Sequence, residues 1–475
     1  MLEGLEISEV LLSKIPNENS VHRIDAEYFK KRYLKEDDLR RKYETIYLGE
    51  DYFITDGQHG YHEVDESSEI RHLTAKNFKN WYADDIGAER LAKWVDDNNK
   101  RSSLQLNDVV LSTRGSVGYC AIVKDDVLPA NIDQDVARIA VENNERISPQ
   151  FLVTYINSKF GQDWAIRNQT GMVQQGLALW RVREMPLPFL SKPFQDQVTE
   201  IIEGSHTFII ESKERYDKAE NLLLETLSLS NFKPSQESAN VKRFSESLGC
   251  SGRLDAEYYQ IKYEQVVQRI KSINYDHLSN LVKIKKSIEP GSAHYSEEGL
   301  PFVRVSDYDK FGLSAPDKYL TNEFCKANAE LIKLLKPKKE TILFSKDGSV
   351  GTAYMLRKDA DFITSSAILH LTIKDKTKII PEYLTLALNS KLVQMQAERD
   401  AGGSIILHWR ISEIENVVVP VIDFYKQREI ADLVEDSFKL KKQSEHLLKV
   451  AKTAVEMAIE QDEEKALHYI KIETE

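Results

Sequence analysis

Two stretches of the chain carry apolar or small side chains at alternating spacings of three and four. In the second, Ile430, Leu433, Ser437, Leu440, Ser444, Leu447, Ala451, Ala454 and Ala458 fall on one seam, the pattern of a helix that packs lengthwise against another. The first runs through Ile201, Ser205, Phe208, Ser212, Tyr216, Ala219, Leu223 and Thr226, with a stutter between Ser212 and Tyr216. A lone helix of this polarity is marginal in water. The spacing therefore predicts two long helices that bury their seams against each other in antiparallel fashion. Packing of each on its own globular neighbour is the alternative.

Before each of these helices the pattern shortens, and it is written twice. Arg23-Ile24-Asp25-Ala26-Glu27-Tyr28, Gly115-Ser116-Val117-Gly118, Asn157-Ser158-Lys159 and Trp180-Arg181-Val182 return in the same order as Arg253-Leu254-Asp255-Ala256-Glu257-Tyr258, Gly348-Ser349-Val350-Gly351, Asn389-Ser390-Lys391 and Trp409-Arg410-Ile411, roughly 230 positions downstream. Each copy opens on a helix (Asp25 to about Leu39; Asp255 to about Ile270). Apolar strands at Asp108–Ser112 and Thr341–Ser345 then run into the glycine turn. A second strand follows, Tyr119–Val123 or Thr352–Leu356, and then a helix with a periodic apolar face near Gln150–Asn157 or Glu382–Asn389. The predicted class is α+β: two tandem mixed α/β globules separated by two long antiparallel coiled-coil helices, with a pseudo-two-fold internal repeat. Asn231-Phe232-Lys233-Pro234-Ser235 ends the first long helix, and a serine-rich linker runs to about Gly252. From Ile430 to Ala458 a helix spans roughly 44 Å at about 1.5 Å per residue. That is comparable to the roughly 34–36 Å between the half-sites of bipartite DNA readers, so two related but non-identical lobes at a set spacing would read two short sequences.

Composition narrows the setting. The 475 residues are 41% hydrophobic, enough to bury more than one core. Cys120, Cys250 and Cys325 are scattered, without metal or redox spacing, which suits a reducing cytoplasm. No apolar run approaches the length of a membrane span, and the opening Met1-Leu2-Glu3-Gly4 lacks a leader's basic and apolar regions. A formal charge of −12 fits poorly with nucleic-acid binding by this chain alone. The basic residues, however, gather locally at Lys283, Lys285 and Lys286 and at Lys333, Lys336, Lys338 and Lys339, which ordinary solvated faces would also explain.

These residues resemble a known family. The repeat order, Asp56-Gly57-Gln58-His59-Gly60, Asn131-Ile132-Asp133-Gln134-Asp135-Val136, Gly299-Leu300-Pro301-Phe302-Val303-Arg304-Val305-Ser306-Asp307, and the proline-bearing strand ends before both long helices (Pro186-Leu187-Pro188 and Pro420) are similar to the specificity subunit of Type I restriction–modification systems. The second copy lacks the Asp-Gly-x-His-Gly loop. The resemblance implies target-recognition domains at 1–193 and 236–423 and conserved helical spacers at 194–235 and 424–475. It also implies a cytoplasmic, non-catalytic DNA-recognition subunit for an asymmetric split target. Its implied partners are double-stranded DNA, adenine-N6 methyltransferase subunits and, through them, endonuclease/translocase subunits. A stand-alone two-lobed DNA-binding protein and an enzyme with duplicated lobes are the competing readings.

The chain shows no Asn/Asp-Pro-Pro-Tyr/Phe motif for a flipped adenine and no phosphate-binding Gly-x-x-x-x-Gly-Lys-Ser/Thr loop. Neither a cofactor nor a catalytic residue is expected. His59 and His62 beside Glu63 have a metal-like spacing, but no further ligand stands at consistent spacing, so a loop pair without metal is expected. Base reading calls for polar side chains on turns that can reach a groove edge. The candidates are Gln58, His59, Thr74, Lys76, Asn77, Arg114, Ser116, Gln174 and Gln175 in the first copy. In the second they are Arg304, Ser306, Lys346, Ser349, His408 and Arg410. Thr74, Lys76 and Asn77 align with Arg304, Ser306 and Asp307. Trp180 and Trp409 are expected as core anchors.

Overall fold

A computed structural model describes residues 6, 8–15, 23–78, 80–141, 146–171, 176–235, 237, 239–403 and 406–474. The chain forms two compact units, Met1–Ile209 with Lys442–Glu475, and Ile210–Lys441.

The first unit is built on an antiparallel sheet in the order Phe53–Asp56, Val136–Ala140, Val109–Ser112, Cys120–Ile122. Its strands are apolar at successive positions because both faces are covered. Val109, Leu111, Cys120 and Ile122 point into a core with the helices Pro149–Asn157 and Lys159–Arg167. Val110, Ala121 and Val136 point the other way, into a core with Leu73, Phe78 and Ile132. Ser148 caps the helix Pro149–Asn157 by accepting a hydrogen bond from Phe151 N at 3.1 Å, with proline at the first helical position. A smaller sheet pairs Arg71–Leu73 antiparallel with Glu89–Arg90 and parallel with Ala130–Ile132.

The second unit repeats this plan. Its sheet runs Val282–Lys286, Ile368–Ile373, Ile342–Ser345, Ala353–Met355. Ile342 and Phe344 face one core, and Leu343 faces the other. The smaller sheet pairs Leu300–Val303 with Tyr319–Leu320 and, in parallel, with Ile363–Thr364.

The matched sequence fragments are hydrogen-bonding pins. Arg23 clasps Asp25 and donates to Arg167 O at 2.9 Å, while Arg253 clasps Asp255 and donates to Asp400 O at 3.0 Å. Asn157 donates to Cys120 O, and Asn389 donates to Ala353 O. Gly115 and Gly348 both adopt φ near +70° (70° and 74°), a conformation that L side chains resist.

One of the matches is out of register. Trp409 N donates to Lys346 O, whereas the residue making that bond in the first unit is Leu177, to Thr113 O. Trp409 is a core anchor at 1% exposure, but Trp180 is 43% exposed on the helix Leu179–Arg183. The expectation of a core Trp180 is therefore corrected. Val182 and Leu177 fill that place instead.

The long helices span Lys192–Thr226 and Phe424–Glu460, and their seams are buried against each other. In the first unit Phe194, Val198, Ile201 and Ile202 share a core with Val450, Ala451, Ala454, Val455 and Ala458. Ser205 Oγ meets Ser444 Oγ at 2.7 Å, and Ser191 N donates to Glu463 at 3.0 Å, so the chains run antiparallel. In the second unit Ser212 Oγ meets Ser437 Oγ at 3.1 Å, and Tyr216, Ala219 and Leu223 share a core with Ile430, Ala431 and Val434. The helix Phe424–Glu460 also packs on the globular part of the second unit, where the Phe438 ring lies 6.2 Å from that of Tyr354. Thr226, on the predicted seam, is exposed, and Leu227 is buried in its stead. No helix among the described residues is long and apolar enough to cross a membrane.

Candidate nucleic-acid interface

In the first unit the predicted residues gather around two clefts. One, of about 310 Å³, is lined by Gln58, Thr74, Lys76 and Asn77 together with His62, His72 and Glu89. The other, of about 240 Å³, is lined by His59, Arg114, Asp56 and Thr170. Gln134 lines both, a position the sequence reading passed over although it lies within the Asn131–Val136 segment.

The Asp-Gly-Gln-His loop reaches these clefts because Gly57 lies flat on the next strand. Its N donates to Asp133 O at 3.1 Å, and a Cβ there would stand 1.8 Å from Ile132 O. Gln58 donates to Tyr61 O at 2.8 Å and accepts from Asn99 at 3.1 Å. His59 is exposed and pairs with Asp56 at 2.9 Å rather than with His62.

Thr74, half-buried, begins the turn that follows its strand. Asn77, 2% exposed, holds that turn by accepting from Thr74 N at 3.0 Å and donating to Ile86 O at 3.2 Å. Lys76 on the same turn is exposed. Arg114 and Ser116 are exposed on the glycine turn, with Arg114 donating to Asp135 at 3.2 Å. Gln174 and Gln175 lie outside the described residues.

In the second unit Arg304 and Ser306 occupy the turn equivalent to Thr74–Asn77. Arg304 N donates to Asp307 at 2.8 Å, its guanidinium binds Asp317, and Ser306 donates to Asp307 at 2.9 Å. Lys346 and His408 converge on Asp347, the latter at 2.8 Å. Ser349 and Arg410 are exposed nearby on the chain, Arg410 with its side chain 79% accessible. The turns thus place ion-paired cations and hydroxyls at strand ends. An ion-paired arginine arrives pre-oriented, and its carboxylate partner can accept from a base amine.

Lys283, Lys285 and Lys286 sit on the edge strand of the large sheet, where lysines also block unwanted strand pairing. Buried titratable groups mark the first cleft. Burial and the neighbouring His62 push His72 down to about 4. Burial lifts Asp133 to about 6.

Residues 275–450 match the family model described as the Type I restriction modification DNA specificity domain. The Type I restriction enzyme EcoBI specificity subunit of Escherichia coli is 28% identical over 114 residues, 24% of this chain and 24% of that protein. The alignment thus spans about a quarter of that relative's length. Among solved structures, the S subunit of a Type I restriction–modification system from M. genitalium aligns at 14% identity and TM-score 0.40, covering 88% of this chain and 96% of that one. The HsdS subunit from Thermoanaerobacter tengcongensis aligns at 14% identity and TM-score 0.28, over 88% and 97%. Residues 275–450 are thus similar to the DNA specificity domain of Type I restriction–modification systems.

Proposed function

We propose that this chain is the non-catalytic DNA-recognition subunit of a Type I restriction–modification complex. Each unit reads one half of a split, asymmetric target, and the subunit works with adenine-N6 methyltransferase subunits and, through them, the endonuclease/translocase. The observation that carries this reading is the repeated scaffold with different side chains on equivalent turns. Thr74, Lys76 and Asn77 stand where Arg304, Ser306 and Asp307 do, and Arg114 stands where Asp347 does on the same glycine turn. One backbone plan that presents different donors and acceptors is what two different half-sites require.

The bases are read by the exposed members of the predicted set, with Asn77 shaping its turn. Phosphate contacts by the outward lysines position the duplex. The partners supply much of the positive field that a chain of net charge −12 lacks.

The test is to co-express the chain with its methyltransferase subunits and map modified adenines across the host genome. A single split motif with a fixed gap, absent when the chain is omitted, is expected. Methylation that persists without the chain, or tight site-specific binding by the isolated chain alone, overturns the proposal in favour of a stand-alone DNA-binding protein.

A further inference from the structure

Behind the loop that carries Gln58 and His59, the first unit brings together a buried histidine, a half-buried histidine and an exposed glutamate that recognition of DNA does not explain. His72 lies on the strand Arg71–Leu73, directly across from Glu89 on the neighbouring strand. His62 comes in from the loop above them, its ring centroid 4.0 Å from that of His72 and its Nε2 3.1 Å from a Glu89 carboxylate oxygen. One ligand atom from each of the three lies within 4.8 Å of the other two. His72 is only 5% exposed. Its ring lies against that of His62 and lines the first cleft, where a ligand can reach it.

The second unit shows that the fold does not require a histidine here. The position equivalent to His72 is Phe302, on the strand Leu300–Val303 with the same parallel neighbour. Its ring packs on Tyr295 at 5.6 Å and is buried among Leu320, Ile332 and Ile363. The position equivalent to Gln58, bridged to the same neighbouring strand, is Ile288. The position of the buried histidine is apolar in one copy, with Lys318 across from it in place of Glu89. In the other copy two imidazoles and a carboxylate stand around a polar cleft that Asp133 also lines.

We propose that His62, His72 and Glu89 bind a divalent transition-metal ion of the zinc class in the first unit. Two imidazole nitrogens and one carboxylate oxygen form a borderline donor set suited to zinc, cobalt or nickel rather than to the oxygen-only preference of calcium or magnesium. Zinc ligands about 2.0–2.1 Å from the metal stand roughly 3.3 Å apart in a tetrahedron, so small side-chain rotations close the cluster. The fourth position opens on the cleft, toward water. The ion cross-links the loop that carries Gln58 and His59 to the strands Arg71–Leu73 and Glu89–Arg90. It is thus a clip for the first unit's loop, without counterpart in the second.

The experiment uses the full chain, purified without a histidine tag, stripped with a chelator and titrated with Co²⁺ and then Zn²⁺. Metal is counted by mass spectrometry, and the cobalt ligand-field band is followed by absorption. One cobalt per chain, displaced by zinc, is expected for the parent protein. H62Q is expected to lose it, as is H72F, which installs the residue the second unit uses. E89Q is expected to weaken binding while the fold, followed by circular dichroism, is kept. His62 is partly exposed, so H62Q decides the matter even if H72F fails to fold. Absence of saturable binding in the parent, or equal metal content in the parent and H62Q, overturns the proposal. The readout is metal bound rather than DNA bound, so it stands or falls separately from the proposed function.

Discussion

Replacing Arg138 by methionine tests the physics of the first unit's sheet. Asp108, at 0% exposure, sits 2.5 Å from Arg138 Nε, and the arginine also donates to Arg101 O at 2.9 Å. Burial pushes the Asp108 carboxyl above its ordinary range, and Arg138 opposes that push. Removing one partner of a buried pair leaves an uncompensated charge and typically costs about 3–5 kcal/mol, out of a domain stability of about 5–15 kcal/mol. Neutralising the orphan with Asp108→Asn in the same chain should return most of the loss, leaving about 1–2 kcal/mol for the missing hydrogen bonds. The second unit supports this expectation, because the neutral His370 occupies the equivalent register opposite Leu343.

The assay is urea unfolding by tryptophan fluorescence in a Trp409→Phe background. Trp81, Trp94, Trp164 and Trp180 then all report on the first unit. The sign of the pH dependence is fixed. In R138M the folded pKa of Asp108 lies above its unfolded value of about 3.9. The penalty is therefore complete above the folded value and fades as pH falls through it toward the unfolded one. If R138M lies within about 1 kcal/mol of the parent, or D108N/R138M is as unstable as R138M, the orphaned-charge argument is wrong.

Three further outcomes are expected. Arg304→Ala should weaken specific binding by the assembled complex by about 1–3 kcal/mol relative to random DNA; an equal loss on both in a salt-matched titration indicates a phosphate contact instead. Ser205→Leu, which forces a branched side chain into the fully buried contact with Ser444, should destabilise the first unit by about 1–3 kcal/mol, with Ser205→Ala milder; unchanged urea midpoints refute the close approach of the helices. His370 is held down to about 4 by burial and, secondarily, by Lys285, and its ring pairs with Thr364 at 2.8 Å. The unfolded chain therefore binds the extra proton between about 6.5 and that value, and stability is present above pH 6.5 and lost as pH falls through this window. Melts at pH 7.5 and 5 should show the second unit losing stability on acidification and His370→Asn flattening that slope.

What could be read from the sequence follows what is local. Strand alternation at Val109–Ser112 and Ile342–Ser345, the helices at Pro149–Asn157 and Pro381–Asn389, and both helix seams are periodic, and periodicity reports which side faces a core. The helices Lys159–Arg167 and Lys391–Asp400 were not read, since short polar helices gain their stability from tertiary contacts. A shared Trp-Arg pair misled the alignment, because identity over two residues carries less register information than the backbone bonds of Leu177 and Trp409. For the candidate interface, the repeat was enough to equate the turns at Thr74 and Arg304. The gathering of His62, His72 and Glu89 was not legible. Their proximity is created by strand pairing, and sequence spacing favoured His59 with His62 instead.

The first unit is assembled from both ends of the described chain, with Val450, Ala454, Ala466 and Ile470 completing a core begun by residues such as Ile54 and Phe151. On the ribosome, order of synthesis and order of maturation are therefore inverted. Ile210–Lys441 is continuous and can condense as soon as it emerges, while the unit encoded earlier waits with an open apolar face for the segment that begins at Lys442. A truncation after Glu445 would thus injure the unit that begins earlier in this sequence, and would leave its later neighbour the better folded of the two.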